Sequence, residues 1–149
     1  MNTKNKKEKR GSSSNKKTEE LHMASKTWLS EIDFISYEIQ FLKNLLGTKY
    51  IDCLEVGLYE RIKEVTKEIF DKKNDCVSLK ELIINHETKI SDLIEQDKDG
   101  DKNFLEAHTK LALKINKFIS SYKYLKMQVF EIVENTLEKK RQKKLMKKY

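Results

Sequence analysis

The stretch I-K-E-V-T-K-E-I-F-D-K-K-N-D-C-V-S-L-K-E-L-I-I-N-H-E-T-K-I-S-D-L, Ile62 to Leu93, decides how many helices this chain forms. Ile62, Val65 and Ile69 step by three and four, the period of one helix face. Five polar residues, Asp71 to Asp75, follow. The stripe then resumes in unchanged phase at Cys76, Leu79, Ile83, His86, Ile90 and Leu93, and only Lys72 breaks it. Upstream, Ile51, Leu54 and Leu58 lead into the same seam. Continuity of phase predicts one helix over 51–96. Two features argue for a break near 72–78. Asn74 and Asp75 are poor helix formers, and Ser78 with Glu81 three residues later reads as a capping box.

Nearer the N-terminus, Thr18 followed by Glu19 and Glu20 is a good helix start, with a capping oxygen and acids at the positive dipole end. Leu21, Trp28, Ile32, Ile35, Ile39, Leu42 and Leu46 then keep near-heptad spacing. Gly47 is a natural stop, which gives a first helix over 20–46. At about 100° per residue its buried arc holds Phe34, Phe41, Leu45, Ile35, Leu42, Ile39 and Ile32. Trp28, Ile35 and Leu42 are expected in the core. The last helix carries Phe104, His108, Leu111, Ile115, Phe118, Tyr122, Leu125, Val129 and Ile132.

The fold class is therefore all-α, an antiparallel, coiled-coil-like helical bundle. It has three long helices, or four if the second breaks near 72–78. At 1.5 Å per residue an unbroken second helix would span about 70 Å against about 40 Å for the first, so burial favours the broken form and phase the unbroken one. The 149 residues hold no proline and four glycines, with 38% hydrophobic and 37% charged residues, a composition suited to long helices. No apolar run approaches the roughly 20 residues of a membrane span, and the basic N-terminus has no apolar segment of a secretory signal. A cytoplasmic location is the expectation.

The net charge of +7 is unevenly placed: residues 1–17 carry +6, residues 138–149 carry +6, and the body 18–137 carries −5. Residues 1–17, without an apolar side chain after Met1, read as a disordered basic tail. Residues 138–149 read as a basic extension of the last helix. Lys6, Lys7, Lys9 and Arg10 in the first run, and Lys139, Lys140, Arg141, Lys143 and Lys144 in the second, are candidate anion-binding residues. With 28 lysines against three arginines, bidentate base reading is not expected, and any nucleic-acid contact should be weak and non-specific.

Polar residues on apolar faces are the candidate site. Glu31 and Glu38 fall inside the arc of the first helix, while His86 and His108 replace aliphatic residues in their seams. The third histidine, His22, lies off the apolar face. Helical bundles build metal centres from inward carboxylates and imidazoles, so the four could bind a metal such as zinc. The Glu-x-x-His pairs of di-metal bundles are missing, with Ile83 and Leu105 in their places. A hydrogen-bonded Glu–His layer is the competing reading. Asp97-Lys98-Asp99-Gly100-Asp101-Lys102-Asn103-Phe104 imitates an EF-hand start, but Lys102 takes the glycine position and His108 that of the bidentate glutamate. An acidic turn with Asp101 capping the last helix fits better. Cys53 and Cys76, without CxxC spacing, read as free thiols.

The run W-L-S-E-I-D-F-I-S-Y-E-I-Q-F-L-K-N-L-L, Trp28 to Leu46, resembles the opening helix of short bacterial helical-bundle proteins of unknown function. N-H-E at Asn85 to Glu87 and E-A-H at Glu106 to His108 sit in similarly placed helices. The resemblance covers 20–137 and implies a helical fold without implying an activity. Richness in lysine, asparagine and isoleucine suggests an A+T-rich bacterial genome. With no phosphate loop, nucleophile elbow or internal repeat, a non-catalytic helical interaction or scaffold protein, acting with a protein partner or as a homo-oligomer and without a cofactor, is expected ahead of an enzyme. A metal-binding bundle and an anion-binding protein are the alternatives.

Overall fold

Steps of three and four, continued without a slip, organise three helices: α1 (Asn2–Glu55), α2 (Tyr59–Glu95) and α3 (Lys102–Lys147). The computed structural model describes residues 2–147, with side chains from Lys17 onward. No strand occurs among the described residues. The chain is all-α, and none of its described helices is long and apolar enough to cross a membrane. The 1–17 segment read as a disordered tail lies, Lys17 apart, outside the described side chains, and α1 begins at Asn2.

The second helix does not break. α2 runs through Asn74, Asp75 and Ser78, all exposed, so the four-helix alternative is set aside. Its seam explains why. Ile62, Val65, Ile69, Cys76, Leu79, Ile83 and Ile90 are all buried on one stripe, and a loop at 72–78 would have shifted that phase. Burial outweighs the weak helix propensity of two exposed residues, a cost of well under 1 kcal/mol each.

The first helix does not stop at Gly47. α1 continues to Glu55, because the next seam residue after Leu46, seven on, is Cys53, and Cys53 is buried. Ile51 and Leu54, read as the start of the second helix, are instead exposed residues of α1. Gly57 makes the real stop with φ 80°. Gly57 N–H donates to Leu54 O (3.2 Å) and Leu58 N–H to Cys53 O (2.9 Å), the double closure of a Schellman motif. α2 ends in the same way, with Asp97 in the left-handed position (φ 51°), Asp97 N–H donating to Ile94 O and Lys98 N–H to Leu93 O. Asp101 then opens α3, its Oδ1 accepting from Phe104 N–H at 2.8 Å.

The chain divides into two compact units, and all three helices contribute to each. The first comprises Met1–Asp33 and Val77–Asn116. Its core holds Ile32, Leu79, Ile83, Ile90, Leu111 and Ile115, with Thr18, Ser25 and His86 also buried. Here α1 and α2 run antiparallel: Lys80 meets Asp33 at 3.0 Å, while Glu87, further along α2, meets His22 and Ser25, earlier on α1.

The second unit comprises Phe34–Cys76 and Lys117–Tyr149. Ile35, Ile39, Leu42, Leu46 and Cys53 of α1 pack with Ile62, Val65 and Ile69 of α2 and with Tyr122, Leu125, Val129 and Ile132 of α3. In this unit α1 and α3 run parallel in fixed register. Glu38 with Lys126, Asp52 with Lys140, and the Glu55 carbonyl with Lys143 are each 88 residues apart. These contacts flank the seam as charged pairs flank a coiled coil. Phe34 and Phe41, read as arc residues, lie outside, 62% and 60% exposed. Ile35 and Leu42 are core, and Trp28 and Leu45 are half-buried.

Candidate functional site

In the first unit the polar seam residues gather into an aromatic and histidine cluster. His86 occupies an aliphatic position of α2 and is buried; His108 holds the corresponding position of α3. His86 Nε2 and His108 Nδ1 are 2.7 Å apart and share a hydrogen bond. The His86 ring stacks on Phe104, with centroids 5.0 Å apart and planes 9° from parallel. Trp28 covers the pair from α1, its centroid 4.8 Å from that of His108 and 6.3 Å from that of His86. Gly100, in the turn before α3, leaves space for the Phe104 ring, because a Cβ there would stand 2.3 Å from it.

A histidine–histidine hydrogen bond needs one ring to donate and the other to accept, so at least one imidazole is neutral. Burial lowers the pKa of His86, and the neighbouring His108 and Lys89 lower it further against a smaller opposing effect of Glu87. Burial also lowers that of His108. Both rings are therefore held neutral, as a metal ligand requires. Beside them Glu87 accepts from the Ser25 hydroxyl and pairs with the His22 ring. His22, read as pointing away, is half-buried in this contact. Sequence reasoning missed Glu87: it neighbours the seam position His86, and its partners come from another helix.

The glutamates read together with these histidines are engaged differently. In the second unit, Glu38 accepts from the buried Tyr122 hydroxyl at 2.8 Å and from Lys126 Nζ at 2.5 Å. Burial raises the Glu38 pKa, but the Lys126 and Tyr122 hydrogen bonds outweigh it and leave the carboxyl below its ordinary range. Burial and the Glu38 carboxylate push the Tyr122 phenol strongly up. Glu31 is exposed. Among the described residues no three His, Cys, Asp or Glu side chains are grouped as metal ligands. The proposed set thus resolves into a histidine pair, a Glu38–Tyr122–Lys126 cluster and a surface carboxylate. The physical reason differs for each glutamate: Glu31, one turn from Trp28, faces outward from α1, and Glu38, further along, is held by Tyr122 and Lys126 of α3.

The basic residues also divide. Lys6, Lys7, Lys9 and Arg10 lie outside the described side chains. Lys140 binds Asp52 at 2.6 Å and lies 3.8 Å from Glu55, and Lys143 donates to the Glu55 carbonyl at 2.6 Å. Both serve the negative end of α1, where cations are favourable. The hydrogen bond to Lys140 holds the Asp52 carboxyl below its ordinary range, and Asp52 holds the ammonium above its own. Lys139, Arg141 and Lys144 are exposed. Deeper in this unit Thr136, fully buried, donates to Ile132 O and lies 3.2 Å from Cys53 Sγ. Cys53 and Cys76 are unbridged and buried.

Compared with known protein families, with curated proteins and with solved structures, the chain has no match to any.

Proposed function

We propose that this chain is a non-catalytic helical interaction protein whose partner-facing surface is the outer side of α1 in the second unit. One observation carries the reading: Phe34, Tyr37 and Phe41 are 62%, 81% and 60% exposed. Their spacing of three and four puts them on one stripe. The seam beside this stripe is already filled by Ile35, Ile39 and Leu42, so the three exposed rings have no part in the core. Single exposed apolar residues are ordinary, but a contiguous aromatic stripe marks an interaction surface. Phenylalanine and tyrosine are also the residue types enriched in interfaces.

The titratable groups support a non-catalytic reading. His86 Nε2 and His108 Nδ1 are engaged with each other, and Glu38 is engaged by Tyr122 and Lys126. Two unbridged cysteines suit a cytoplasmic location, where thiols stay reduced. The exposed Lys139, Arg141 and Lys144 support weak, salt-sensitive contact with polyanions as an accessory property.

The test is a photocrosslinking amino acid placed at Tyr37, or at exposed Lys67 as control, in the cells that make the protein. A discrete crosslinked species from position 37 and none from 67 is expected. No product at 37, or the same products from both positions, would contradict the proposal.

A further inference from the structure

Gly47 sits inside a helix that gains nothing from it. Its φ is not in the left-handed region, and a Cβ built on it meets nothing within 4 Å. Neither backbone conformation nor crowding requires glycine there. Yet glycine in a helix interior is destabilising by about 0.5–1 kcal/mol relative to alanine. What Gly47 does is leave a groove open. It lines a cavity of about 430 Å³ between α1 and α2 in the second unit. Small-molecule sites typically measure about 300–1,000 Å³.

The groove has an amphipathic lining. Leu46 and Ile69, both buried, form its floor, and the exposed Tyr50 and Phe70 form its walls. Lys43 and Lys73, both exposed, stand at its rim. No carboxylate lies within ion-pair distance of either lysine among the described residues, unlike Lys80, Lys126 and Lys140, which are all paired. Of the two hydroxyl-bearing lining residues, Thr66 donates back to Ile62 O at 2.7 Å, and Tyr50 carries an uncharged phenol. The charge lining the groove is therefore wholly cationic, above an apolar floor.

We propose that this groove binds an aliphatic carboxylate, with the hydrocarbon chain over Leu46, Gly47 and Ile69 and the carboxylate between Lys43 and Lys73. The lining demands both parts. An uncharged hydrocarbon would leave the two ammoniums unused, and a small anion would leave the apolar floor uncovered. Placement of the carboxylate between two lysines gives charge-assisted hydrogen bonds at the water-facing edge. None of Phe34, Tyr37 and Phe41 of the aromatic stripe lines the groove.

The test is calorimetric titration of the full chain with dodecanoate below its micelle concentration, beside dodecanol and dodecyltrimethylammonium. Dodecanoate should bind at one per chain, dodecanol about tenfold more weakly, and the cation not at all. Gly47→Leu should fill the groove and abolish dodecanoate binding while its thermal midpoint stays at or above that of the parent. Lys43→Gln with Lys73→Gln should weaken dodecanoate about tenfold and leave dodecanol unchanged. Gly47→Ala, a smaller change, provides a second folded variant and should weaken binding in part. Failure of dodecanoate to bind, equal binding of the cation, or full binding by a folded Gly47→Leu protein would each overturn the proposal.

Discussion

Asp97 holds a backbone conformation, φ 51°, that glycine adopts without steric cost. It closes α2 with the same pair of hydrogen bonds that Gly57 makes for α1. Asp97→Gly should therefore stabilise the protein by roughly 0.5–1 kcal/mol. Urea denaturation would show this as a higher midpoint with an unchanged slope, and a lower midpoint would contradict the assignment of the turn. His86 and His108 make a prediction about acid. Both are held neutral, with folded pKa values below the unfolded value of about 6.5. Below that pH the unfolded chain binds more protons, so stability rises with pH there. The contribution is complete above about 6.5 and is lost as pH falls from that value through the folded pKa values. Charged, hydrogen-bonded Glu38 and Asp52, with lowered pKa values, lose their contributions only at lower pH, below the histidine range. The thermal midpoint should fall between pH 7.5 and pH 5, and His86→Leu should flatten that fall. An identical pH dependence in the variant would show that the pair does not titrate as described.

The boundaries of the elements test where seam and propensity conflict. α2 passes through Asn74 and Asp75 without interruption. Asn74→Pro should cost about 3 kcal/mol or more, because proline removes a helix hydrogen bond and clashes with the preceding turn. A variant as stable as the parent would mean a loop at that point. The sequence made the all-α class and the seams of α2 and α3 legible, because an apolar residue every three or four positions is a direct record of burial. It misled at Gly47, because the rule that glycine ends helices reads only local cost, and burial of Cys53 overrides it. It also misled at Phe34 and Phe41, which are apolar but lie beside the seam. His86 and His108 were legible as polar interruptions, whereas their mutual bond depends on the pairing of α2 with α3. Tyr122 and Lys126 as partners of Glu38 depend likewise on the register between α1 and α3. Such distances between helices have no local signal.

Across the whole molecule, the residues that fold the chain are distinct from those left facing outward. The seams fold it, and α1 carries a second apolar stripe that the seams do not use. If the two sets are distinct, removing the outer stripe leaves stability unchanged. The variant Phe34→Ser, Tyr37→Ser, Phe41→Ser removes three aromatic rings from one helix. If the rings are surface residues, each change should alter stability by no more than about 0.5 kcal/mol, and the thermal midpoint should stay within a few degrees of the parent. If the rings were core residues, each truncation would cost about 3–5 kcal/mol and the variant would not fold. A thermal melt of that triple variant decides between them: an unchanged cooperative transition is the predicted result, and loss of the transition would contradict the account.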